Sequence, residues 1–197
     1  MFILGISGKR GAGKDLLANI LHYRGFRNFS FAGALKEKVR QDFQLTKEQT
    51  DGKLKEVETK LRKYSIEPGA YWTPRQIMIE YGQFFRQFDK DFWVRKVFES
   101  LKAQPDNSLI TISDVRFKNE ADYIKEQGGF LIRLERNPKL NVYGAPIDDV
   151  SEKDLDDYNG FDYVVPQEHN ETPQDLERVA DKLLEVLKKK VNVAKVL

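Results

Sequence analysis

The chain has no cysteine and only two histidines among its 197 residues. Without cysteine it forms no disulfide and offers no thiolate for catalysis or for a zinc site. Neither His22 nor His169 belongs to a metal-ligand pattern or to a Ser–His–Asp arrangement. Charged residues and glycines are therefore the candidates for its chemistry.

Long apolar runs and an excess of one charge are also missing. No apolar run is long enough to span a bilayer, and the first residues, MFILGISG, lack the pattern of a signal peptide. The 33 basic and 31 acidic residues nearly balance, so there is no broad electrostatic attraction to nucleic acids or membranes. We expect a cytoplasmic protein with neither of those partners. The oligomeric state stays open, with a homodimer among the alternatives.

Short apolar runs alternate with helical patterns along the chain. The predicted strands are 2–6, 27–32, 108–113, 130–135 and 161–166. The predicted helices are 14–23, 34–43, 55–64, 74–88, 89–103, 117–127 and 172–189, the last capped by Thr172 with Pro173 and Asp175 behind it. This order predicts a three-layer α/β fold with a mostly parallel, five-stranded sheet. We expect one domain over 1–197, with insertions at 44–103 and 136–160.

The stretch GKRGAGK, residues 8–14, fits the phosphate-binding pattern G-x-x-x-x-G-K. Glycines let the backbone curl so that several N–H groups point into one concavity, and the next helix directs its positive N-terminus there. Lys14 adds a cation that can reach the outer phosphates. A glycine-rich turn without a ligand is the alternative, but the strand before and the helix after favour ATP binding. The predicted ATP contacts are Gly8, Lys9, Arg10, Gly11, Ala12, Gly13, Lys14, Asp15 and Leu16.

Asp15 stands where this pattern usually has Ser or Thr, whose hydroxyl binds Mg²⁺. A carboxylate is also a hard oxygen ligand, directly or through water. Because its charge repels phosphates unless a metal intervenes, we expect Asp15 to face the metal. The alternative is that Asp15 only caps the helix.

The predicted helix 74–88 has two different faces. Arg75, Ile79, Gly82 and Arg86 share one narrow face. The opposite face carries Ile77, Tyr81, Phe84, Phe85 and Phe88. We expect the aromatic face to pack on the core and the two arginines to hold a monophosphate beside Gly82, because guanidinium forks suit phosphate. A solvated basic face is the alternative.

Asp114 follows the buried strand 108–113, and ligands of open α/β sheets bind at the carboxyl ends of strands. Its carboxylate can hold a Mg²⁺-bound water or accept a hydrogen bond from an acceptor nucleotide. Arg116 and Glu120 follow at a spacing of four, which also suits a structural ion pair. Trp93, in DKDFWVRK, is either a core residue or a stacking platform for a base.

Three segments that follow GKRGAGKD resemble the deoxynucleoside monophosphate kinases best known from tailed phages. They are FAGALK (31–36), RQIMIEYGQFFRQFDKDFWVRK (75–96) and SDVRFKNEADYIKEQGGFLIRLER (113–136). Ser151–Glu152 and Asn170 also look like features of that family. The resemblance covers almost the whole chain, with DVRFKNE as its most specific part. It departs at Leu16, where relatives often carry a hydroxyl residue.

The resemblance implies a P-loop kinase that uses ATP and Mg²⁺ to phosphorylate a (deoxy)nucleoside monophosphate, with 44–103 as the acceptor-binding insertion. It implies that Asp114, Arg116 and Glu120 line the acceptor site. The expected acceptor contacts are Lys36, Arg75, Gly82, Gln83, Arg86, Trp93, Asp114, Arg116 and Glu120. The expected catalytic residues are Lys14, Asp15, Asp114 and Arg116, with Asp15 and Asp114 bound to the metal directly or through water.

The polar stretch 136–160 follows a strand, as a lid does in small P-loop kinases. Its length is unusual for a plain connection, and phosphoryl transfer needs cations and the exclusion of water. We predict a lid, with Arg133, Arg136 and Asn170 as further ATP contacts. An ordinary surface loop is the alternative.

Two other functions remain open. Another small-metabolite kinase, similar to dephospho-coenzyme A kinase, would share the phosphate loop and the lid but not DVRFKNE. A nucleotide-dependent switch or assembly factor would bind ATP without a small acceptor. The paired arginines of the helix 74–88 argue against a switch, because a switch needs no second phosphate clamp.

Overall fold

The structure, a computed structural model, describes residues 1–64, 69–135, 150–166, 168 and 172–190. The chain divides into two compact units. Met1–Ser30 and Phe98–Leu197 form the first, and Phe31–Val97 forms the second. The second unit overlaps the insertion predicted at 44–103.

Five parallel strands form one sheet in the first unit, in the order β2-β3-β1-β4-β5. They are β1 (Phe2–Gly8), β2 (Phe26–Phe29), β3 (Leu109–Val115), β4 (Phe130–Leu134) and β5 (Tyr163–Val165). The predicted α/β fold with a five-stranded parallel sheet is confirmed. Because β3 and β4 flank β1 and run parallel to it, their carboxyl ends lie at the same edge as the loop after β1.

Eight α-helices accompany the sheet in the described parts of the chain. They are α1 (Lys14–Tyr23), α2 (Phe31–Phe43), α3 (Lys47–Asp51), α4 (Pro74–Phe88), α5 (Phe92–Leu101), α6 (Lys118–Glu126), α7 (Val150–Lys153) and α8 (Pro173–Lys190). None of these helices combines the length and the apolar character that crossing a bilayer requires.

Helices cover both faces of the sheet in the first unit. Leu4 and Ile6 of β1 are fully buried in one cluster with residues of α1 and α8. Gly5 lies between them and faces the other way, where a Cβ would come within 2.9 Å of Ile124 Cδ1 in α6. Sheet and helices therefore form the three predicted layers.

The capping pattern predicted for α8 is present. Thr172 Oγ1 accepts the N–H of Asp175 at 3.1 Å, and the Asp175 carboxylate accepts the N–H of Thr172 at 3.0 Å. The predicted apolar stripe is buried at Leu176, Val179, Leu183 and Leu187. The cap and the stripe fix α8 against α1 and the sheet.

The second unit has a small core of its own, made by Val39, Leu45, Ile77 and Met78. A capping box joins Thr73 and Gln76 at the start of α4. Gly82 lets α4 approach α2 closely, because a Cβ there would lie 3.2 Å from Leu35 Cδ2.

The prediction of a helix at 55–64 is wrong. A single 3₁₀ turn occupies Lys53–Glu56. The chain then extends and pairs with the segment before α4: Thr59 N donates to the Trp72 carbonyl at 2.8 Å, and Trp72 N donates to the Leu61 carbonyl at 2.9 Å. These non-local backbone hydrogen bonds replace the local ones that a helix would have made.

The aromatic face predicted for α4 is only partly the buried one. Ile77 is buried, but Phe84 is 53% and Phe88 is 77% exposed. The buried stripe instead includes Met78 and Gly82. Because α4 packs on α2 through Gly82, the side of the helix that carries Gly82 is buried, and the side that carries Phe84 and Phe88 is exposed.

Candidate active site

The loop after β1 has the curled backbone of a phosphate-binding loop. Gly8, Gly11 and Gly13 all have positive φ values of 149°, 78° and 91°. Other residues rarely adopt such values, so the glycines are required for the curl. The loop ends in α1, which has Gly13 as its N-cap and no capping side chain. The curled backbone and the positive end of α1 therefore suit the binding of an anion.

Lys14 begins α1 and is only 7% exposed. Its ammonium donates to the carbonyls of Gly8 at 2.7 Å and Lys9 at 2.9 Å, so the side chain folds back across its own loop. Burial, followed by the positive charge of Arg116, lowers the pKa of Lys14 from 10.5 to about 8. The ammonium therefore lies in a buried site beside the concavity of the loop.

Asp15 lies in the first turn of α1 and is exposed. Since Gly13 is the N-cap, the alternative that Asp15 caps this helix is wrong. Asp114 lies near the carboxyl end of β3 and is half-buried. Both carboxylates act electrostatically on the Lys14 ammonium. Leu16, which follows Asp15, is 40% exposed.

Glu120 positions the turn that carries Arg116. Glu120 is only 2% exposed, and its carboxylate accepts the N–H of Arg116 at 2.8 Å and that of Phe117 at 3.2 Å. The spacing of four thus produces a side-chain contact to the backbone, as at a helix N-terminus. With its carboxylate buried in this turn, Glu120 positions the backbone of Arg116, and its expected contact with the acceptor stays a prediction.

Glu152 of α7 bridges the phosphate loop and Arg116. Its Oε2 accepts the backbone N–H of Arg10 at 2.8 Å, and its Oε1 pairs with the Arg116 guanidinium. Lys9 donates to the Glu152 carbonyl and pairs with Asp156. The sequence predicts no role for Glu152; the only signal is the high share of acidic residues in 152–157, which could pair with the basic residues of the loop.

Arg133, a predicted ATP contact, lies at this same place. Its guanidinium donates to Asp156 Oδ1 at 2.9 Å and to the Leu155 carbonyl. A cavity is lined by Ser7, Gly8, Lys9, Val115, Arg116, Arg133, Ser151, Glu152, Leu155 and Asp156. The structure thus brings Lys9, Arg116 and Arg133 together around the loop.

In the second unit, predicted acceptor residues belong to a group of cations. Lys36 pairs with Asp51 at 2.8 Å, and Arg75 pairs with Glu56. Desolvation, and then the positive charges of Lys36 and Arg75, lower the pKa of Lys55. Lys36, Lys55 and Arg75, hereafter the basic group, are therefore close neighbours. Lys55 is not among the predicted acceptor contacts, because the charge pattern of 55–64 predicts a helix.

Two predicted acceptor contacts are buried in the second unit. Trp93 is 2% exposed, and its Nε1 donates to the Gly82 carbonyl at 3.2 Å. Of the two alternatives for Trp93, the structure has core packing, and the expected base contact is corrected. Gly82 is itself buried against Leu35, so no ligand reaches its backbone from solvent. Arg86, one turn later, is half-buried.

A large cavity of about 560 Å³ lies in the second unit. Its aromatic and aliphatic lining consists of Phe43, Leu61, Trp72, Ile77, Tyr81 and Phe84, and its polar lining consists of Arg62, Glu80, Gln83 and Gln87. We call it the aromatic cavity. Gln83, a predicted acceptor contact, lines it. The volume and the mainly apolar lining are those of small-molecule sites.

Some predictions fall outside the described residues. Arg136 and Asn170, both predicted ATP contacts, are among these, as is 136–149 of the predicted lid. Residues 150–160 of that stretch are described, and they include α7 with Glu152.

Sequence comparison identifies the relatives of this chain. A family model described as phosphomevalonate kinase matches residues 6–130. The chain is 32% identical over 183 residues to the "Putative deoxynucleotide monophosphate kinase" of Acanthamoeba polyphaga mimivirus, covering 84% of this chain and 88% of the viral protein. The chain belongs to the phosphomevalonate kinase family. The viral relative confirms the resemblance to deoxynucleoside monophosphate kinases.

A second relative is also a kinase. The chain is 30% identical over 199 residues to the phosphomevalonate kinase of Drosophila melanogaster, covering 93% of this chain and 97% of the fly enzyme. This member of the phosphomevalonate kinase family is therefore a P-loop kinase that phosphorylates a small molecule.

Solved structures show the same fold at low identity. Dephospho-CoA kinase from Campylobacter jejuni has a TM-score of 0.55 at 13% identity, covering 95% of this chain and 97% of that one. Shikimate kinase from Bacteroides thetaiotaomicron has a TM-score of 0.51 at 14% identity, covering 95% and 98%. These similarities concern the fold alone.

Proposed function

We propose that this kinase transfers the γ-phosphoryl group of ATP to a (deoxy)nucleoside monophosphate and releases the diphosphate. The observation that carries the proposal is the aromatic cavity, which lies in the same unit as the basic group. Together they offer one place for a base and one for a phosphate. The donor site is the loop of residues 8–14.

On the donor side, the loop offers backbone N–H groups, and Lys14 supplies the mobile cation. A triphosphate would compete for the Lys14 ammonium with the carbonyls that it now contacts. Arg116 and Arg133 add charge at the same loop. Phosphoryl transfer requires mainly positioning and neutralisation of charge, which these residues can supply.

Magnesium suits the residues near the loop. The described residues contain no cluster of three or more His, Cys, Asp or Glu that could hold a metal by itself. Mg²⁺ often takes only one or two protein carboxylates and completes its coordination with phosphates and water. Asp15 and Asp114, which both act on the Lys14 ammonium, are the carboxylates that would hold it. Bound there, the metal would neutralise charge on the transferred phosphate.

On the acceptor side, we assign the phosphate to the basic group. Lys36 and Arg75 have acidic partners that an incoming phosphate could replace, Asp51 and Glu56. Desolvation, and then the positive charges of Lys36 and Arg75, lower the pKa of Lys55, and a bound anion would favour its charged form. Arg75 brings a planar fork, which suits a phosphate better than an ammonium does.

We assign the base to the aromatic cavity. Lys36 and Phe43 are seven residues apart on α2, so they lie on the same face about 10 Å apart, close to the length of a mononucleotide. Aromatic rings such as Trp72 and Tyr81 can stack on a base. The amides of Gln83 and Gln87 both donate and accept hydrogen bonds, as the edge of a base requires.

Phosphomevalonate is the second candidate acceptor. The match to the phosphomevalonate kinase family model and the 30% identity to the fly enzyme favour it. It is aliphatic and carries both a carboxylate and a phosphate, so it would need cations at both ends. The aromatic cavity offers one arginine, Arg62, together with one acidic residue, Glu80. This lining suits an uncharged ring better than a carboxylate.

A panel of acceptors tests the proposal. ADP release from ATP should be stimulated by one or more nucleoside monophosphates, in the deoxy or ribo series, and much less by phosphomevalonate. The Lys14→Ala protein serves as the control for contaminating kinases. Stimulation by phosphomevalonate alone would reject the proposed acceptor and leave the kinase assignment intact.

A further inference from the structure

A carboxylate already occupies the anion site of the phosphate loop. Glu152 Oε2 accepts the Arg10 N–H of the loop at 2.8 Å, while Oε1 pairs with Arg116. The Glu152 side chain is only 17% exposed, so this contact is not a loose surface pair. A backbone N–H of the loop and a guanidinium are the groups that phosphate oxygens use at such sites.

The residues around Glu152 engage the other cations of the loop. Lys9 contacts the Glu152 carbonyl and the Asp156 carboxylate. Arg133 donates to the same Asp156 at 2.9 Å. The segment 151–156 therefore satisfies Lys9, Arg116 and Arg133 at once, all through oxygen atoms.

The same segment is fixed to the body of the first unit by contacts away from the loop. Asp154 accepts the backbone N–H of Lys118 at 2.7 Å, at the start of α6. Leu155 is 5% exposed, and Tyr158 donates to Asp122 at 2.9 Å. The hydrogen bonds made by Asp154 and Tyr158 involve no atom of the phosphate loop. They can therefore keep the segment nearby while the carboxylates of Glu152 and Asp156 leave the loop.

We propose that the segment 151–156 is an internal competitor of the nucleotide phosphates, with Glu152 as the group that must leave the loop before ATP binds. The Arg10 N–H is a single donor, and two anions placed side by side repel each other, so a phosphate of ATP and the Glu152 carboxylate exclude each other at this position. The apparent affinity for ATP is then lower than the intrinsic affinity, by the fraction of molecules with an open loop. This inference rests on the proposed donor site and not on the identity of the acceptor.

The competition predicts the direction in which Glu152→Gln changes the Kd of ATP. Glutamine keeps the shape of the side chain but removes the charge that Arg116 and the loop attract. The Kd of a non-hydrolysable ATP analogue should fall by roughly threefold to tenfold, as expected when a competing charged hydrogen bond becomes a neutral one. A residue that instead helped to bind ATP or its metal would show the opposite sign.

Asp157→Asn is the matched control. Asp157→Asn removes the same charge one residue after the segment, from a side chain that pairs with Lys118 instead of the loop. Its Kd should stay near the wild-type value. An unchanged or higher Kd for Glu152→Gln would overturn the proposal, and so would an equal decrease in both variants. A wild-type protein that bound no analogue at all would overturn the donor site as well.

Hydrogen exchange of the wild-type protein provides a test that needs no variant. On addition of the ATP analogue alone, backbone amides in 8–14 should exchange more slowly. Amides in 151–156 should exchange faster, because the segment loses its partners on the loop. Slower exchange in both segments would show that 151–156 closes on the nucleotide, and that result would overturn the proposal even if Glu152→Gln failed to fold.

Discussion

The Glu120 carboxylate accepts the backbone N–H of Arg116 at 2.8 Å, so the two residues are joined through the main chain. Glu120 is nearly fully buried, whereas the Arg116 guanidinium reaches the phosphate loop through Glu152. Glu120 thus fixes the position from which Arg116 acts.

Replacing Glu120 should therefore disturb both stability and the phosphate site. Both N–H groups are accepted by Glu120 Oε2. In Glu120→Gln this acceptor loses its negative charge and a new NH₂ group is buried, which should lower the free energy of unfolding by about 1–3 kcal/mol. Thermal unfolding measures this loss. Glu126→Gln, at an exposed site of the same helix, should leave the unfolding temperature unchanged. Equal unfolding temperatures of the two variants would show that Glu120 does not hold the turn that carries Arg116.

Lys14→Ala should abolish phosphoryl transfer without unfolding the protein. The ammonium contacts only the carbonyls of its own loop in the described structure, while its charge is required at the phosphates. We expect a decrease in kcat by a factor of about 100 or more, as when a charge-stabilising donor is lost. Single-turnover transfer measures the rate, and circular dichroism checks the fold. A folded variant with near-wild-type transfer would contradict the assignment.

Nucleotide binding should weaken as the pH rises through about 8. Burial and Arg116 lower the pKa of Lys14 to about 8. In the free protein the ammonium is therefore charged below that pH and neutral above it, and only the charged form attracts phosphate. The Kd of an ATP analogue, measured on both sides of this pH, should increase on the alkaline side. Lys14→Arg stays charged throughout, so its Kd, whatever its value, should show no such increase.

Loss of a cation from the basic group should weaken the acceptor but not ATP. In Lys55→Ala and Arg75→Ala, one charge-assisted contact worth about 1.5–3 kcal/mol disappears. That loss corresponds to a roughly tenfold to hundredfold lower kcat/KM for the nucleoside monophosphate. Lys60→Ala, an exposed lysine of the same unit, is the control. Weaker ATP binding with unchanged acceptor kinetics would place the acceptor phosphate elsewhere.

Phe84 and Phe88 allow a matched test of the aromatic cavity. Both are exposed on α4, but only Phe84 appears in the described lining of the cavity. Phe84→Ala should raise KM for the nucleoside monophosphate, because it removes a stacking surface worth about 0.5–1.5 kcal/mol, while Phe88→Ala should not. Steady-state kinetics with varied acceptor measure both. The same KM in the two variants would exclude the cavity as the base site.

Local signals in the sequence predicted much of the fold. The loop GKRGAGK between β1 and α1, and the capping residues Thr172 and Asp175 of α8, depend on contacts between near neighbours in the chain. Such contacts are encoded in short stretches. The order of strands and helices likewise followed from short apolar runs, because buried parallel strands are apolar on both faces.

The errors arose where distant residues decide the structure. Pairing of Thr59 with Trp72 replaced the helix predicted there, and packing of Gly82 on Leu35 decided which face of α4 is buried. Glu152 lies 142 residues after Arg10, so no local pattern could reveal that its carboxylate reaches the phosphate loop.

The identity of the phosphorylated product tests the central claim most directly. The protein is incubated with ATP labelled in its γ-phosphoryl group, a mixture of nucleoside monophosphates and phosphomevalonate, and the labelled products are separated. The label should appear in a nucleoside diphosphate, and the Lys14→Ala protein should produce none. Label confined to the diphosphate of mevalonate, or to inorganic phosphate, would contradict the proposed acceptor.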